Sequence, residues 1–165
     1  MNSELEGKIV LVTGGAGGIG SVISESFAEQ GAKVIVHYKH SKEKAELIAK
    51  KIKGAAIYAD LTDSQQTKEL FDNIIKSEGK IDICIANAGK YPKDYAPLWE
   101  IGIERWNNTI STNLSLTYNT SRYFLKHVAE TKKGSLVLIG STAGIYGEAG
   151  HADYAAAKGA ITSGL

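Results

Sequence analysis

Tyr154 and Lys158 stand four residues apart in "YAAAK" (154–158). On a helix that spacing stacks a phenol and an ammonium on one face, where the two could act as an acid/base unit. Alone the pair is a weak signal. A chain with this many tyrosines and lysines places about one such pair by chance, and Tyr38 and Lys42 match the same pattern. The neighbours give it weight. Ser141 closes an apolar run upstream of Tyr154. In an open parallel sheet, ligands bind beyond the carboxyl ends of the strands. Ser141 is therefore expected to face that crevice, with Tyr154 entering from the following helix.

The elements that must position these residues alternate along the chain. Short apolar, β-branched runs at 8–13, 33–38, 55–59, 81–86 and 135–140 read as strands covered on both faces. Between them lie helical patterns. Ile19, Ile23 and Phe27 recur at helical spacing before Gly31. Ser41 is placed to cap a helix carrying Ala45, Ile48 and Ile52, which Gly54 ends. "TDSQ" (62–65) has the form of a capping box, and the helix it opens stops near Gly79. A loop with both prolines, 92 and 97, leads to a long helical stretch from about Glu104 to Thr131, and a last helix starts near Asp153. Strands alternating with helices of this length predict a doubly wound α/β fold with a parallel sheet. The chain shows no repeat, low-complexity segment or internal linker, so residues 1–165 form a single expected domain.

The turn between the first strand and the first helix is "TGGAGGIG" (13–20), in the strand–turn–helix context that a phosphate-binding turn requires. Gly14 permits the tight turn, and Gly18 and Gly20 let the backbone approach a pyrophosphate and the sheet. Gly18, Ile19 and Gly20 open the helix whose N-terminus supplies unpaired N–H groups and a positive dipole end. The alternative is a glycine-rich turn needed only for packing. No Lys-Ser/Thr follows the glycines, so a nucleoside-triphosphate P-loop is disfavoured. The end of the second strand reads "HYKHSK" (37–42), with no acidic residue before Glu43. An acid there would bind the 2′-hydroxyl of NAD; Lys39 and Ser41, with His40 or Lys42, instead suit the 2′-phosphate of NADP. NADP is the expected cofactor and NAD the alternative.

With these motifs in this order, the whole chain resembles the short-chain dehydrogenase/reductase family. "TGGAGGIG" is followed by Asp60 and Leu61 after the third strand, "ANAG" (86–89), Asn113 in the long helix, and Ser141, Tyr154 and Lys158. "VIVHYKHSKEKAELIAKKI" most resembles the 3-oxoacyl-carrier-protein reductase group. The resemblance implies a Rossmann sheet. It implies that Asp60 and Leu61 contact the adenine, and that Asn87 stabilises the sheet beside the cofactor. It implies that Asn113, Ser141, Tyr154 and Lys158 form a catalytic tetrad, with Tyr154 and Lys158 also touching the cofactor. The implied reaction interconverts a carbonyl and an alcohol by hydride transfer, with Tyr154 as acid in reduction and base in oxidation. A phenol titrates near 10, and a neighbouring ammonium favours its ionised form. Ser141 would hydrogen-bond the substrate oxygen, and Asn113 would help position Lys158 through water. In one respect the chain departs from the pattern: many NADP-dependent members carry a basic residue where this chain has Gly17.

Other residues carry weaker signals. His151, Tyr91, Tyr146 and Glu148 fall where they could line the substrate cleft, although a partly exposed loop position is the commoner state for such a histidine. His127 is expected at the surface. The lysines at 39, 42, 44, 50, 51 and 53 alternate with Glu43 and Glu46 and read as a solvated face. No His/Cys/carboxylate grouping has metal-ligand spacing, so no metal is expected. Composition sets the bounds: 43% of residues are apolar, 22% are charged, and net charge is +1. These values disfavour nucleic acid or an anionic membrane as a partner. A single cysteine, no leader-like N-terminus and no apolar run of membrane length point to a cytoplasmic protein acting on a small molecule. A full dinucleotide fold has a sixth strand, and none follows the fifth. The chain therefore reads as the first part of a longer, homo-oligomeric enzyme. The competing readings are a redox-sensing nucleotide-binding module without catalysis, a structural subunit, and a methyltransferase, for which the Ser–Tyr–Lys set would have no purpose.

Overall fold

The computed structural model describes residues 4–165. Its sheet has five parallel strands in the order β3-β2-β1-β4-β5, formed by β1 (Ile9–Val12), β2 (Lys33–Tyr38), β3 (Ala55–Tyr58), β4 (Ile83–Ala86) and β5 (Ser135–Leu138). Val10 is aligned with Val34 on one side and Ile83 on the other, and Ile85 is aligned with Val137. Each strand is shorter than or equal to its apolar run. The doubly wound architecture expected from sequence is present.

The alternation of side chains along β1 divides the core in two. Ile9 and Leu11 join a cluster with Leu70, Phe71, Ile74 and Phe124. Val10 and Val12 join another with Ala16, Val34, Val36, Ala45 and Ile48. The first cluster is closed by α3 (Ser64–Glu78) and α5 (Leu116–Thr131), the second by α1 (Gly18–Glu29) and α2 (Lys42–Lys51). Cys84, fully buried in the first cluster, has its thiol pushed up by desolvation and behaves as a small hydrophobe. β5 is an edge strand, with Val137 42% exposed.

The structure corrects several local expectations. The capping box of α3 lies one residue later than expected: Asp63 is the cap and accepts from the N–H groups of Gln65 and Gln66. Ser41 occupies the cap position of α2, but its hydroxyl makes no capping bond. The long helical stretch is two helices, α4 (Ile103–Ile110) and α5, joined through a wide π-turn at Ser111–Ser115. A one-turn helix, α6 (Ala143–Tyr146), precedes α7 (Ala152–Gly164), which packs against α4 and the π-turn. His127 is buried rather than at the surface, because its Nε2 accepts the Ile81 N–H at 3.2 Å. Among the described residues, no helix is long and apolar enough to cross a membrane, and no group of three or more His, Cys, Asp or Glu side chains could hold a metal.

Candidate active site

The strand order reverses at β1: the chain winds one way to β2 and β3, then crosses to β4 and β5. A crevice opens at such a switch point, outside the carboxyl ends of the strands. Here it is a cavity of about 550 Å³. Every residue expected to bind the dinucleotide from the first four strands lines it: Gly14, Gly18, Ile19, Gly20, Lys39, Ser41, Asp60, Leu61 and Asn87.

The turn after β1 is held from three sides. Gly14 sits at φ +61, a left-handed conformation that only glycine adopts without strain. Its carbonyl accepts from the Gly17 N–H at 2.9 Å and the Asn87 Nδ2 at 3.3 Å. A side chain on Gly20 would collide with the Gly14 carbonyl and the Asn87 amide, so α1 can start this close only with glycine there. The Thr13 hydroxyl donates to the Ile85 carbonyl and accepts from the Asn87 and Ala88 N–H groups, tying β1 to β4. Gly18 has open space where a side chain would be, and the first N–H groups of α1 lack intrahelical partners. These are the surroundings a pyrophosphate needs, and the residues present fit a bound dinucleotide.

At the end of β2 the Lys39 ammonium pairs with the Asp60 carboxylate at 2.6 Å. Partial burial would raise the Asp60 carboxyl. The hydrogen bonds from Lys39 and Thr62 outweigh that and hold it below the usual carboxylate range. Lys39 and Asp60, expected to contact opposite ends of the adenosine moiety, are thus one ion pair on the cavity wall.

Ser141, Tyr154 and Lys158 lie outside the cavity lining, and Gly89 connects the two regions. Gly89 lines the cavity, and a Cβ on it would come within 2.8 Å of Asn113 Oδ1 and 3.8 Å of Lys158 Nζ. Asn113, 1% exposed in the π-turn, accepts the Lys90 N–H and donates to the Lys90 and Thr109 carbonyls. Lys158 is buried, and its Nζ donates to the Ile139 carbonyl at 2.7 Å and lies 5.9 Å from the Tyr154 ring centroid. Desolvation depresses its pKa. Ser141 Oγ accepts the Ala143 N–H, which leaves the hydroxyl proton for another acceptor. The look-alike pair Tyr38 and Lys42 straddles the end of β2 and the start of α2 and shares no helix face.

Three contributors carry little sequence signal. His37 joins the glycine turn to β3. Asp153, fully buried, accepts from Arg105 Nε at 3.0 Å, Arg105 Nη2 at 3.2 Å and the Thr109 hydroxyl at 2.8 Å. Arg105 also donates to the carbonyls of Asp94 and Gly150. This clamp fixes α4, the proline loop and the start of α7 directly beside Tyr154. His151 is also buried rather than a partly exposed loop residue, and it stacks on Tyr91 at 4.7 Å. Tyr91 stands edge-on to Tyr154 at 5.0 Å and donates its hydroxyl to Glu148 at 2.6 Å. Tyr146 is 83% exposed.

An open α/β sheet with a glycine turn at its switch point defines the dinucleotide-binding class. A family model described as short chain dehydrogenase matches residues 8–164, and the chain belongs to that family. It is 35% identical over 163 residues to a 3-oxoacyl-[acyl-carrier-protein] reductase of Thermotoga maritima, covering 96% of this chain and 65% of the relative. It is also 35% identical over 160 residues to the enzyme of that name from Escherichia coli, covering 96% and 64%. Versicolorin reductase 1 of Aspergillus parasiticus is 35% identical over 166 residues, covering 97% and 62%. The chain thus spans 62–65% of the length of these relatives.

Proposed function

We propose that this chain carries the cofactor site and the acid/base group of an NADP(H)-linked carbonyl reductase whose substrates are of the 3-oxoacyl kind. One observation carries the reading: Asn113 and Lys158 converge on Gly89, a wall residue of the nucleotide cavity, and Tyr154 stands beside Lys158. Gly14, Gly18, Ile19 and Gly20 would hold the pyrophosphate, Asp60 and Leu61 the adenine, and Lys39 with Ser41 the 2′-phosphate. Asn87 would keep the turn in shape. When bound, the nicotinamide supplies or accepts a hydride. Tyr154 gives its hydroxyl proton to the carbonyl oxygen in reduction and recovers it in oxidation. Ser141 donates a hydrogen bond to the same oxygen, keeping its own proton, and holds it in place. The Lys158 ammonium, held by the Ile139 carbonyl, places positive charge beside the Tyr154 ring. Family membership, the lack of an acid at the end of β2, and two relatives named as 3-oxoacyl reductases support this reading.

The test is NADPH oxidation in the presence of a 3-oxoacyl thioester, alongside direct titration with NADPH and NADH. Tighter NADPH binding that falls toward the NADH value in Lys39→Ala is expected. Equal affinity for both dinucleotides refutes the NADP assignment, and binding without turnover refutes the reductase. A small-molecule substrate, a cytoplasmic location and association into a homo-oligomer belong to the same reading, and light scattering checks the last.

A further inference from the structure

His37 is among the most enclosed polar residues of the molecule, 2% exposed, yet it stands on the wall of the nucleotide cavity. Its Nδ1 accepts the Gly14 N–H at 3.0 Å. An imidazole nitrogen that accepts carries no proton, so the ring is neutral and Nε2 carries the hydrogen. That Nε2–H donates to the Ala59 carbonyl at 3.0 Å. The backbone of the same residue accepts the Gly15 N–H at 3.0 Å. One side chain and one carbonyl therefore fasten the first two glycines of the turn to β2, and the far side of the ring fastens to the end of β3. The three strand ends that form the adenosine side of the cavity meet at this residue.

We infer that His37 is a positioning residue for the dinucleotide: its neutral ring sets the turn by accepting the Gly14 N–H while bracing on Ala59. The inference rests on the reading of the cavity as a dinucleotide site and deepens it. With its N–H taken by His37, Gly14 is fixed in the left-handed conformation from which its carbonyl receives Gly17 and Asn87. The unpartnered N–H groups at the start of α1 then project into the cavity from a turn that is already built. Without the acceptor, the part-buried Gly14 N–H is left unsatisfied or turns toward the ligand, and part of the binding energy goes into rebuilding the turn.

Two substitutions separate the two ends of the ring. The Asn Oδ1 falls near the position of Nδ1 and can accept from Gly14. The Gln Nε2 falls near the position of the ring Nε2 and can donate to Ala59 while leaving Gly14 unpaired. His37→Phe removes both bonds. NADPH binding to the full chain is followed by fluorescence titration, with thermal melting of each variant alongside. NADPH dissociation constants roughly tenfold higher are expected for His37→Gln and His37→Phe, with His37→Asn recovering most of that loss. All three variants are expected to melt lower than the parent. Equal affinity in Gln and Asn variants, or affinity unchanged in all three despite lower melting, would leave His37 a stability residue and overturn the inference. A parent chain that binds neither NADPH nor NADH overturns the cavity reading and the inference with it. Nitrogen NMR of the parent tests the geometry independently of variant folding. The expected state of His37 is a neutral ring protonated at Nε2, and a proton on Nδ1 overturns the inference.

Discussion

Asp153 offers the most quantitative test of how this site is held. Its carboxylate is fully buried against Arg105, whose side chain keeps 23% of its exposure. Breaking a buried ion pair by removing one partner leaves an uncompensated charge and costs about 3–5 kcal/mol. Arg105 can recover some hydration through its exposed part and keeps the carbonyls of Asp94 and Gly150, so Asp153→Ala is expected to lose about 2–4 kcal/mol. Asp153→Asn keeps the shape and an acceptor but not the charge, and is expected to lose about 1–2 kcal/mol. Urea denaturation followed by circular dichroism reads both. With a slope of roughly 1–3 kcal/mol per molar for a domain of this size, the Ala variant moves the midpoint by about 0.7 M or more. Replacing Arg105 and Asp153 together by Met and Leu should restore much of the loss, because the isolated charge is gone. Burial alone would raise the Asp153 carboxyl, but the bonds from Arg105 and Thr109 hold it below the usual range. Its contribution is therefore present above the unfolded carboxyl pKa and disappears as pH falls through the folded value. A loss under about 1 kcal/mol in Asp153→Ala, or equal losses in Ala and Asn variants, would refute the clamp as an energetic element.

Acid titration tests His37 separately. Burial lowers its pKa from 6.5 to about 4, so the unfolded chain binds the extra proton first and stability falls as pH drops from 6.5 to about 4. Asp60, just past the end of β3 and paired with Lys39, is the charge that acts on it. His37 is expected to contribute roughly 3 kcal/mol across that window, and the loss of stability should be smaller by about that amount in His37→Asn. Tyr154→Phe is expected to leave NADPH affinity within about threefold while turnover drops at least a hundredfold; retained turnover in a steady-state assay would assign the proton to another group. Gly20→Ala forces a methyl against the Gly14 carbonyl and the Asn87 amide. It should destabilise the fold by about 1–3 kcal/mol and weaken dinucleotide binding in the same titration; unchanged affinity would mean the turn can give way.

Features that depend on nearest neighbours and on period are legible in the amino-acid order alone. Apolar, β-branched runs separated by helical patterns specify alternating strands and helices, and that alternation leaves few sheets other than a parallel one. A glycine cluster between a strand and a helix specifies the phosphate turn, because only small residues allow Gly14 its left-handed backbone and Gly20 its approach to the Gly14 carbonyl. Other features required partners far along the chain. The π-turn at Asn113 forms around a carboxamide bonded to Lys90, 23 residues away, so helical periodicity could not report it. His127 is buried because Ile81, 46 residues earlier, needs an acceptor for its N–H. Arg105 and Asp153 are 48 residues apart, and each alone looks like an ordinary surface charge. Tyr38 and Lys42 match the spacing of Tyr154 and Lys158, and only the element boundary between β2 and α2 separates the coincidence from the candidate site. Spacing names residues that could meet. Long-range hydrogen bonds, which carry no local period, decide which of them do.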